Sequence, residues 1–415
     1  MAGCLKQVKI PQGYYLKGYK VKIYPDDSQK ELIDNCINAN IFIYNWALEQ
    51  ENIQFGEWKD GKSDKRILSI YDLDAKFTEL RKSLDWLQNI PHNSARSGIR
   101  RLRNAFERFF QGVCRKPRFK SKKKMTKFTY TTRADRMFFE GNLLRIEGIN
   151  GGFIYTRWNS GWTKKTTPKI YNPVITKTNL GEYFVSFKIM EPIKYNYFND
   201  NNIEPLHQTI GIDLNVKDRF VLSNGMKFRA PDISKHEKKL KRMHRKHQKD
   251  LNRYYKELER ANPEEIECIQ LSNRAQKRQD KIRKEYAKIH NINENFIQTT
   301  TKRIIDLHPD CIVMEHISGI NMKRKKHIAK LTHYTNFYRC REVMERKAFT
   351  YNIPFILADR YYKSSQICSQ CGHVQNIGSR KIYKCPSCGL EINRDLNAAI
   401  NLEHYPDIIS KLVGE

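Results

Sequence analysis

Two short knuckles constrain this chain more than any other feature: Cys368-Ser369-Gln370-Cys371-Gly372 and Cys385-Pro386-Ser387-Cys388-Gly389, with thirteen residues between Cys371 and Cys385. In a CxxC turn both thiolates face one tetrahedral ion, and the glycine that follows allows the positive-φ backbone that aims N–H groups at the sulfurs. Two such turns close a single four-sulfur site. Residues 363–390 are therefore expected to form a loop-rich zinc ribbon holding one structural Zn2+ through Cys368, Cys371, Cys385 and Cys388. A redox dithiol or an iron–sulfur cluster is the competing use of such pairs. With four cysteines available, the adjacent His373 is expected at the surface. The other six cysteines (Cys4, Cys36, Cys114, Cys268, Cys311, Cys340) are scattered and read as small thiols of the interior.

Charge supplies the second constraint. Lys and Arg number 76 and Asp and Glu 45, a formal net charge of +31 over 415 residues. That excess is too large for an ordinary metabolic enzyme and calls for a polyanionic partner, with nucleic acid favoured over an acidic membrane surface. Hydrophobic residues make up 39%, enough for a core in each of two to four domains, which excludes full disorder. No run approaches the roughly 18 apolar residues of a membrane span, and Met1 to Ile10 carries lysines without a signal-type apolar stretch. A cytoplasmic location, in a bacterial or archaeal cytosol or nucleoid, without a membrane partner, is expected.

Tyr19, Val21 and Ile23 alternate with Lys20 and Lys22 as in a strand with one wet face. Beyond Tyr24-Pro25-Asp26-Asp27, Ser28 and Glu31 have capping-box spacing, and Ile33, Cys36, Ile37, Ile41, Tyr44 and Leu48 share a helical face. Further helices are expected over about 70–87 and from Ala95 to Phe110, stopping at Gly112. From Arg96 to Lys127 there are 13 basic residues against the single acid Glu107. Arg96, Arg100 and Arg103, with Arg108, flank the helix, and Lys116, Arg118, Lys120, Lys122, Lys123 and Lys124 follow, a continuous path for a phosphate backbone. Between about 126 and 192 short alternating strands follow (Phe128–Thr132, Leu143–Ile146, Tyr183–Ile189). If the first strand joins them, the helical unit is an insertion in a β-barrel.

An α/β domain begins at Thr209-Ile210-Gly211-Ile212-Asp213, followed by Arg219–Leu222. The basic stretches Lys235–Arg260 and Asn273–His290 read as a helical hairpin broken at Pro263, and a further helix ends at about Ile304–Leu307. Cys311–Glu315 reads as a buried strand, Lys323–Lys326 as a basic loop, Leu331–Tyr351 as a helix and Phe355–Ala358 as a strand.

Three acids stand where structure alone explains them poorly: Asp213 within Gly-Ile-Asp, Glu315 at the end of the apolar Cys-Ile-Val-Met strand, and Asp395 in Arg394-Asp395-Leu396-Asn397-Ala398-Ala399. Singly they read as a turn residue, an ion pair and a first-turn helix carboxylate. Together, at the ends of two central strands and the start of a packing helix, they can converge as hard oxygen ligands for two Mg2+ ions about 4 Å apart, which activate water and stabilise the leaving oxygen of a phosphodiester. The expected activity is that of a metal-dependent nuclease. Asp218 lies past the turn and reads as a solvated residue.

Ile212-Asp213, Val313-Met314-Glu315, Ser364–Cys368, the paired knuckles and Arg394–Ala399 resemble TnpB, the insertion-sequence-encoded RNA-guided nuclease, in order and spacing. The miniature type V-F CRISPR effectors share that plan. Gly18–Gln29, the Ala105–Phe110 helix and the Pro117–Lys122 loop extend the likeness upstream, over nearly the whole chain. The resemblance implies a multidomain α+β architecture: a wedge β-barrel (1–27 and 120–205) with a helical recognition insertion (28–119), and a RuvC-like nuclease domain of RNase H fold (206–362 and 391–415) carrying the zinc ribbon as a target-nucleic-acid-binding insertion (363–390). It implies Asp213, Glu315 and Asp395 as catalytic acids and magnesium ligands, with Arg394 and Asn397 in support. It further implies a guide RNA and a double-stranded target DNA with an adjacent motif as partners, sequence being read by the RNA and the motif by the protein. The chain departs from the family at Asn215, where Gly is frequent; Asn tolerates positive φ, so the turn is expected to survive. An unguided nuclease or transposase, and an idle guide-directed DNA-binding regulator, are the alternatives. The three intact acids weigh against the second.

Overall fold

A computed structural model describes residues 9–121, 137–262, 269–316 and 335–407, apart from positions 147, 150, 151, 196, 202, 205, 207 and 379. The chain divides into two compact units, Met1–Pro192 and Ile193–Glu415.

The first unit opens with strand β1 (Tyr14–Tyr24), followed by helices α1 (Asp27–Lys59), α2 (Ile70–Ser83), α3 (Asp85–Gln88) and α4 (His92–Phe110). Strands β2 (Met137–Glu140), β3 (Leu143–Ile146), β4 (Phe153–Thr156), β5 (Ile170–Lys177) and β6 (Tyr183–Pro192) complete it. The sheet order is β2-β3-β4-β1-β6-β5. Strand β1 thus sits inside the sheet, pairing antiparallel with β4 and along its length with β6, so the helices are an insertion between two strands of one sheet. No closed barrel forms among the described residues: β2 and β5 are the outer strands, with no ladder joining them. The expected strand Phe128–Thr132 lies outside the described residues.

Helix α1 is capped by Asp26 and not by Ser28. The Asp26 carboxylate accepts from the Gln29 N–H at 2.8 Å, and Gln29 Oε1 accepts from the Asp26 N–H at 3.1 Å, a capping box two residues earlier than Ser28–Glu31. The Ser28 hydroxyl instead donates to Asp26. Both spacings satisfy the pattern, but Pro25 holds the chain extended up to Asp26 and the helix starts there. Ile33, Cys36, Ile41, Tyr44 and Leu48 are buried as their spacing requires, with Ile37 half-buried. Apart from Ile41, they share a core with Leu73, Phe77, Ile99 and Leu102 of the other helices and with Ile23, Phe139 and Val185 of the sheet. Each fully buried side chain of this kind stabilises by about 1.5–3 kcal/mol. Helix α4 ends before Gly112, which has φ 70°.

The second unit contains the short helix α5 (Tyr197–Asp200), strands β7 (Thr209–Leu214), β8 (Asp218–Leu222) and β9 (Lys227–Arg229), helices α6 (Ser234–Arg260) and α7 (Asn273–Ile305), and strand β10 (Cys311–Met314). Helix α8 (Phe337–Thr350), strand β11 (Phe355–Leu357), the hairpin β12 (Ile382–Lys384) and β13 (Glu391–Asn393), and helix α9 (Arg394–Glu403) follow. Lys194 and Phe198, grouped with the β unit by sequence, pack here: the Lys194 N–H donates to the Thr350 carbonyl and the Phe198 ring stacks on His308. The main sheet has the order β11-β10-β7-β8-β9, with β10 parallel to β7 and β11, and β8 and β9 antiparallel. The twofold strand period sorts its faces. Ile210, Ile212, Ile312 and Met314 pack with Ile304, Val343 and Met344 on one side, while Val313 meets Leu402 and Tyr405 on the other.

Helix α7 runs unbroken to Ile305, where sequence suggested two helices. No Gly or Pro interrupts it, and Ile282, Ile289, Ile297 and Ile304 recur at seven- and eight-residue steps along one buried face. It pairs with α6 through Leu240, Ile282 and Ile289. The basic loop Lys323–Lys326 and the start of the Leu331–Tyr351 helix lie outside the described residues. No helix among the described residues is long and apolar enough to cross a membrane.

Candidate active site and zinc ribbon

The parallel register of β7 and β10 pairs Ile212 with Met314, so Asp213 and Glu315 stand side by side one residue further on, at the carboxyl ends of both strands. The carboxyl ends of parallel strands are where open α/β sheets present functional groups.

The third acid is brought in by a helix that touches the sheet backbone. Helix α9 lies over β7 at Gly211, where a Cβ would come within 1.9 Å of the Ala399 carbonyl oxygen and 2.4 Å of the Glu403 nitrogen. Only glycine admits that approach. Gln208, further back on the strand, bonds to Glu403 near the helix end at 2.6 Å, so strand and helix run in opposite senses. Two strand residues rise about 6.6 Å and four helix residues about 6 Å, which brings Asp395 level with Asp213. The Gly of Gly-Ile-Asp therefore serves the packing that assembles the acids.

Asp213 is buried. Its carboxyl is pushed well above the usual range by that burial and then by the charges of Glu315 and Asp395; Arg394 and the Leu214 N–H act in the opposite sense. Burial raises Glu315 as well. Arg394 donates to Asp395 Oδ1 at 3.1 Å, and the Asn393 side chain caps α9 by accepting from the Asp395 N–H at 3.1 Å. Among the described residues the four cysteines gather their ligand atoms within 4.8 Å of one another, while Glu315 and Asp395 act on Asp213 through their charges. Divalent cations suit this donor set, because they would relieve the buried like charges that now oppose ionisation.

Asn215 is a site residue that sequence reasoning missed. Its backbone is not in the left-handed region, so the expected positive-φ role is absent. Its Oδ1 accepts from the Val216 N–H at 2.9 Å, which fixes the amide orientation, and its Nδ2 donates to Asp395 Oδ2. The partner is 180 residues away in sequence, so no local pattern could have signalled it.

Asn397 turns away from the acids. It is fully buried, donates to the Ile367 carbonyl at 2.6 Å and accepts from the Ser369 N–H at 3.0 Å. Asn401, one turn on, donates to Ser364 and Ile367, each at 2.7 Å. Both amides fasten the first knuckle to α9. Asp218 begins β8 opposite Arg229.

In the ribbon, the Sγ atoms of Cys368 and Cys388, and those of Cys371 and Cys385, lie 3.6 Å apart. Zn–S bonds of about 2.3 Å in a tetrahedron imply sulfur separations of roughly 3.8 Å, so one zinc ion fits. Gly372 and Gly389 have φ of 75° and 76°, as the knuckle turns require. Burial opposes ionisation of the Cys385 thiol, yet N–H groups of Cys388 and Ser387 bring it to about 6. Against the lowering pull of the Leu390 N–H, burial and the other three sulfurs push Cys388 up to about 12. His373 is exposed, as expected. Of the scattered cysteines, Cys36 and Cys340 are buried and Cys114 and Cys311 half-buried; Cys4 and Cys268 lie outside the described residues.

The basic tract of the first unit divides in two. Arg96 forms a two-pronged pair with Asp74, and Arg103 donates to the Leu68 carbonyl and lies 3.6 Å from Glu51. Their charges are matched within the helical fold. Arg100 is half-buried and its guanidinium is lowered by burial, with Arg96 adding to the effect. Lys116, Arg118 and Lys120 are exposed on a loop that Asn45 clamps to α1 by accepting from the Lys120 N–H at 2.7 Å and donating to its carbonyl at 2.9 Å. Lys122, Lys123 and Lys124 lie outside the described residues.

Two family models match the chain: a "Cas12f1-like, TNB domain" over residues 337–402, and a "Helix-turn-helix domain" of the OrfB/IS605 type over residues 15–57, which here form β1 and α1. A protein of Streptomyces pristinaespiralis named "Putative RNA-guided DNA endonuclease" is 24% identical, with 93% of this chain and 88% of that protein aligned. The similarly named InsQ of Escherichia coli (strain K12) is 20% identical, over 93% of this chain and 91% of its own. Among solved structures, a Cas12f1–sgRNA–target DNA complex aligns with 94% of this chain and 99% of the matched chain at 16% identity and a TM-score of 0.34. The likeness carried by the motifs is thus shared with relatives that align along 93% of its length, and in sequence the chain resembles the TnpB-like proteins.

Proposed function

We propose that this chain is an RNA-guided DNA endonuclease that cuts phosphodiester bonds with Asp213, Glu315 and Asp395. The observation that carries the reading is the meeting of three acids at the carboxyl ends of β7 and β10 and the start of α9, where Glu315 and Asp395 both raise the Asp213 carboxyl. One buried and two half-buried acids gathered together are expensive to maintain without a cation to hold. The sheet order, three antiparallel strands followed by two strands parallel to the first, supports a RuvC-like domain of RNase H fold. The naming of full-length relatives as RNA-guided endonucleases supports the guided form of the chemistry.

Two Mg2+ ions bound by these acids would supply an activated water and stabilise the leaving oxygen. The chain's own contribution is to orient the carboxylates. Asn215 and Arg394 hold the two oxygens of Asp395, and the Gly211 contact sets its height. Zn2+ on the four cysteines would be structural, fixed to α9 through Asn397 and Asn401. The first unit's six-stranded sheet would act as the wedge and its helices as the recognition part, with Lys116, Arg118 and Lys120 contacting phosphates. Guide RNA and motif-bearing duplex DNA are the partners of this reading.

Expressing the chain with the DNA that flanks its gene, sequencing the RNA that purifies with it, and re-targeting that RNA tests the proposal. Cleavage that follows the guide sequence, and that Asp213→Ala abolishes without loss of RNA binding, is expected. Cutting in the absence of RNA would shift the assignment to an unguided nuclease. One guide from beside the gene would indicate a transposon-borne enzyme, and many spacers on one scaffold a CRISPR effector.

A further inference from the structure

The helical insertion carries a cavity that the proposed cleavage chemistry does not use. It holds about 180 Å³ between the last turns of α1 and α4, and its main lining residues are Glu51, Phe55, Arg66, Phe106, Phe110 and Lys116. An apolar cavity of about 150 Å³ accommodates one benzene ring, so this one admits a single planar heterocycle. Its mouth is aromatic and exposed: Phe55 is 37% and Phe110 54% solvent-accessible, an uncommon state for two phenylalanines so close together. Its rim is cationic. Lys116 Nζ lies 5.6 Å from the centre of the Phe55 ring, and the Arg66 guanidinium 5.3 Å from that of Trp58.

At the floor stands Glu51, 3% exposed, held by the Leu68 N–H at 3.1 Å and near Arg103 at 3.6 Å. A carboxylate there accepts hydrogen bonds from an amine that enters edge-on, as the exocyclic amines of bases present themselves. An aromatic slot with an acceptor at its base and cations at its lip is complementary to a nucleotide: ring inside, amine down, phosphate outside.

We infer that this cavity is a docking site for one unpaired, amine-bearing base of the bound RNA, held by Phe55 and Phe110 with its phosphate on Lys116 and Arg66. The inference rests on the guided reading above and adds to it a contact that fixes the RNA on the helical unit. Lys116 lies four residues past Gly112, near the start of the exposed basic loop, so a strand leaving the slot would meet Arg118 and Lys120 next.

The test uses the full chain purified with its RNA. Ultraviolet crosslinking followed by mass spectrometry of nucleotide-bearing peptides is expected to mark the segments that contain Phe55 or Phe110. Removal of one stacking ring is expected to weaken RNA binding roughly 5- to 150-fold in Phe55→Ala and Phe110→Ala, with Phe55→Trp restoring it. Both rings are exposed enough for the variants to fold, and a thermal melt of each checks this. RNA retained at full affinity by both alanine variants, with crosslinks elsewhere, would overturn the slot while leaving the guided nuclease standing. Crosslinks at these rings that come only from added target DNA would also overturn it. A preparation without any RNA would overturn both readings together.

Discussion

Gly211→Ala tests the assembly of the acids at its tightest point. Ordinary contact begins near 3.4 Å, and the new Cβ would stand 1.9 Å from the Ala399 oxygen, so helix α9 must withdraw by 3.4 − 1.9 = 1.5 Å. The obstacle is backbone on both sides, so no side-chain rotation relieves it. Overpacking of this kind destabilises by about 1–3 kcal/mol, which for a unit of this size lowers its melting temperature by roughly 2–12 °C. The larger effect is on cleavage, because Asp395 rides on the displaced helix and a misplacement of about 1 Å in a reacting group reduces rate by ~100-fold. Differential scanning calorimetry and the initial rate of guided plasmid cutting, measured at saturating RNA, report the two effects separately. RNA affinity is expected to stay near wild type. A variant that melts within about 1 °C of the parent and cuts within twofold of its rate would refute the close approach of α9 to β7.

Asn215→Ala removes the donor on Asp395 Oδ2 and is expected to lower cleavage and directly measured Mn2+ affinity by about 10- to 100-fold, with RNA binding unchanged; unaltered Mn2+ binding by electron paramagnetic resonance would count against a positioning role. Cys385→Ser is expected to reduce bound zinc, measured by elemental analysis, from about one ion per chain to near none and to loosen residues 363–390. Retained zinc would show that Cys385 is not a ligand. Hydrogen bonding to Arg339 holds the Glu294 carboxyl at about 2, so the ion pair between α7 and α8 contributes stability above the ordinary carboxylate value of 4.5 and loses it as pH falls toward 2. Glu294→Gln is expected to be less stable at neutral pH and to lose part of the acid dependence in that window; an unchanged acid-unfolding curve would contradict the pairing.

Local chemistry was legible in the sequence and distant partnership was not. The knuckles, the stripes of α1 and α4, and the strands that carry Asp213 and lead into Glu315 each write their pattern within a few residues, and the structure forms those elements there. Misreadings arose where two local patterns competed or where the deciding partner was far away. Asp26 and Ser28 both offered a cap, and only the course of the backbone decided between them. Arg96 and Arg103 looked like part of a free basic path because their acids, Asp74 and Glu51, lie 22 and 52 residues upstream. Asn397 stood near the third acid in sequence yet faces the first knuckle, since helix residues two apart point about 200° from one another.

Strand β1 has one further consequence, for the order in which the protein is made. Its ladder with β6 joins Tyr14 to Pro192 and Ile23 to Tyr183, partners synthesised 178 and 160 residues later. At roughly 5–20 residues per second, β1 waits about 8–36 s beside the ribosome with that edge open, while α1 to α4 emerge and pack locally. An open strand edge invites pairing with other chains. Lys17, Lys20 and Lys22 are spaced along it, and charges of that kind discourage edge-to-edge association. Chains stalled short of residue 183 should therefore keep β1 cleavable by protease yet remain unaggregated, and replacing these lysines with threonine should make nascent-chain aggregation rise before any loss of stability in the finished protein.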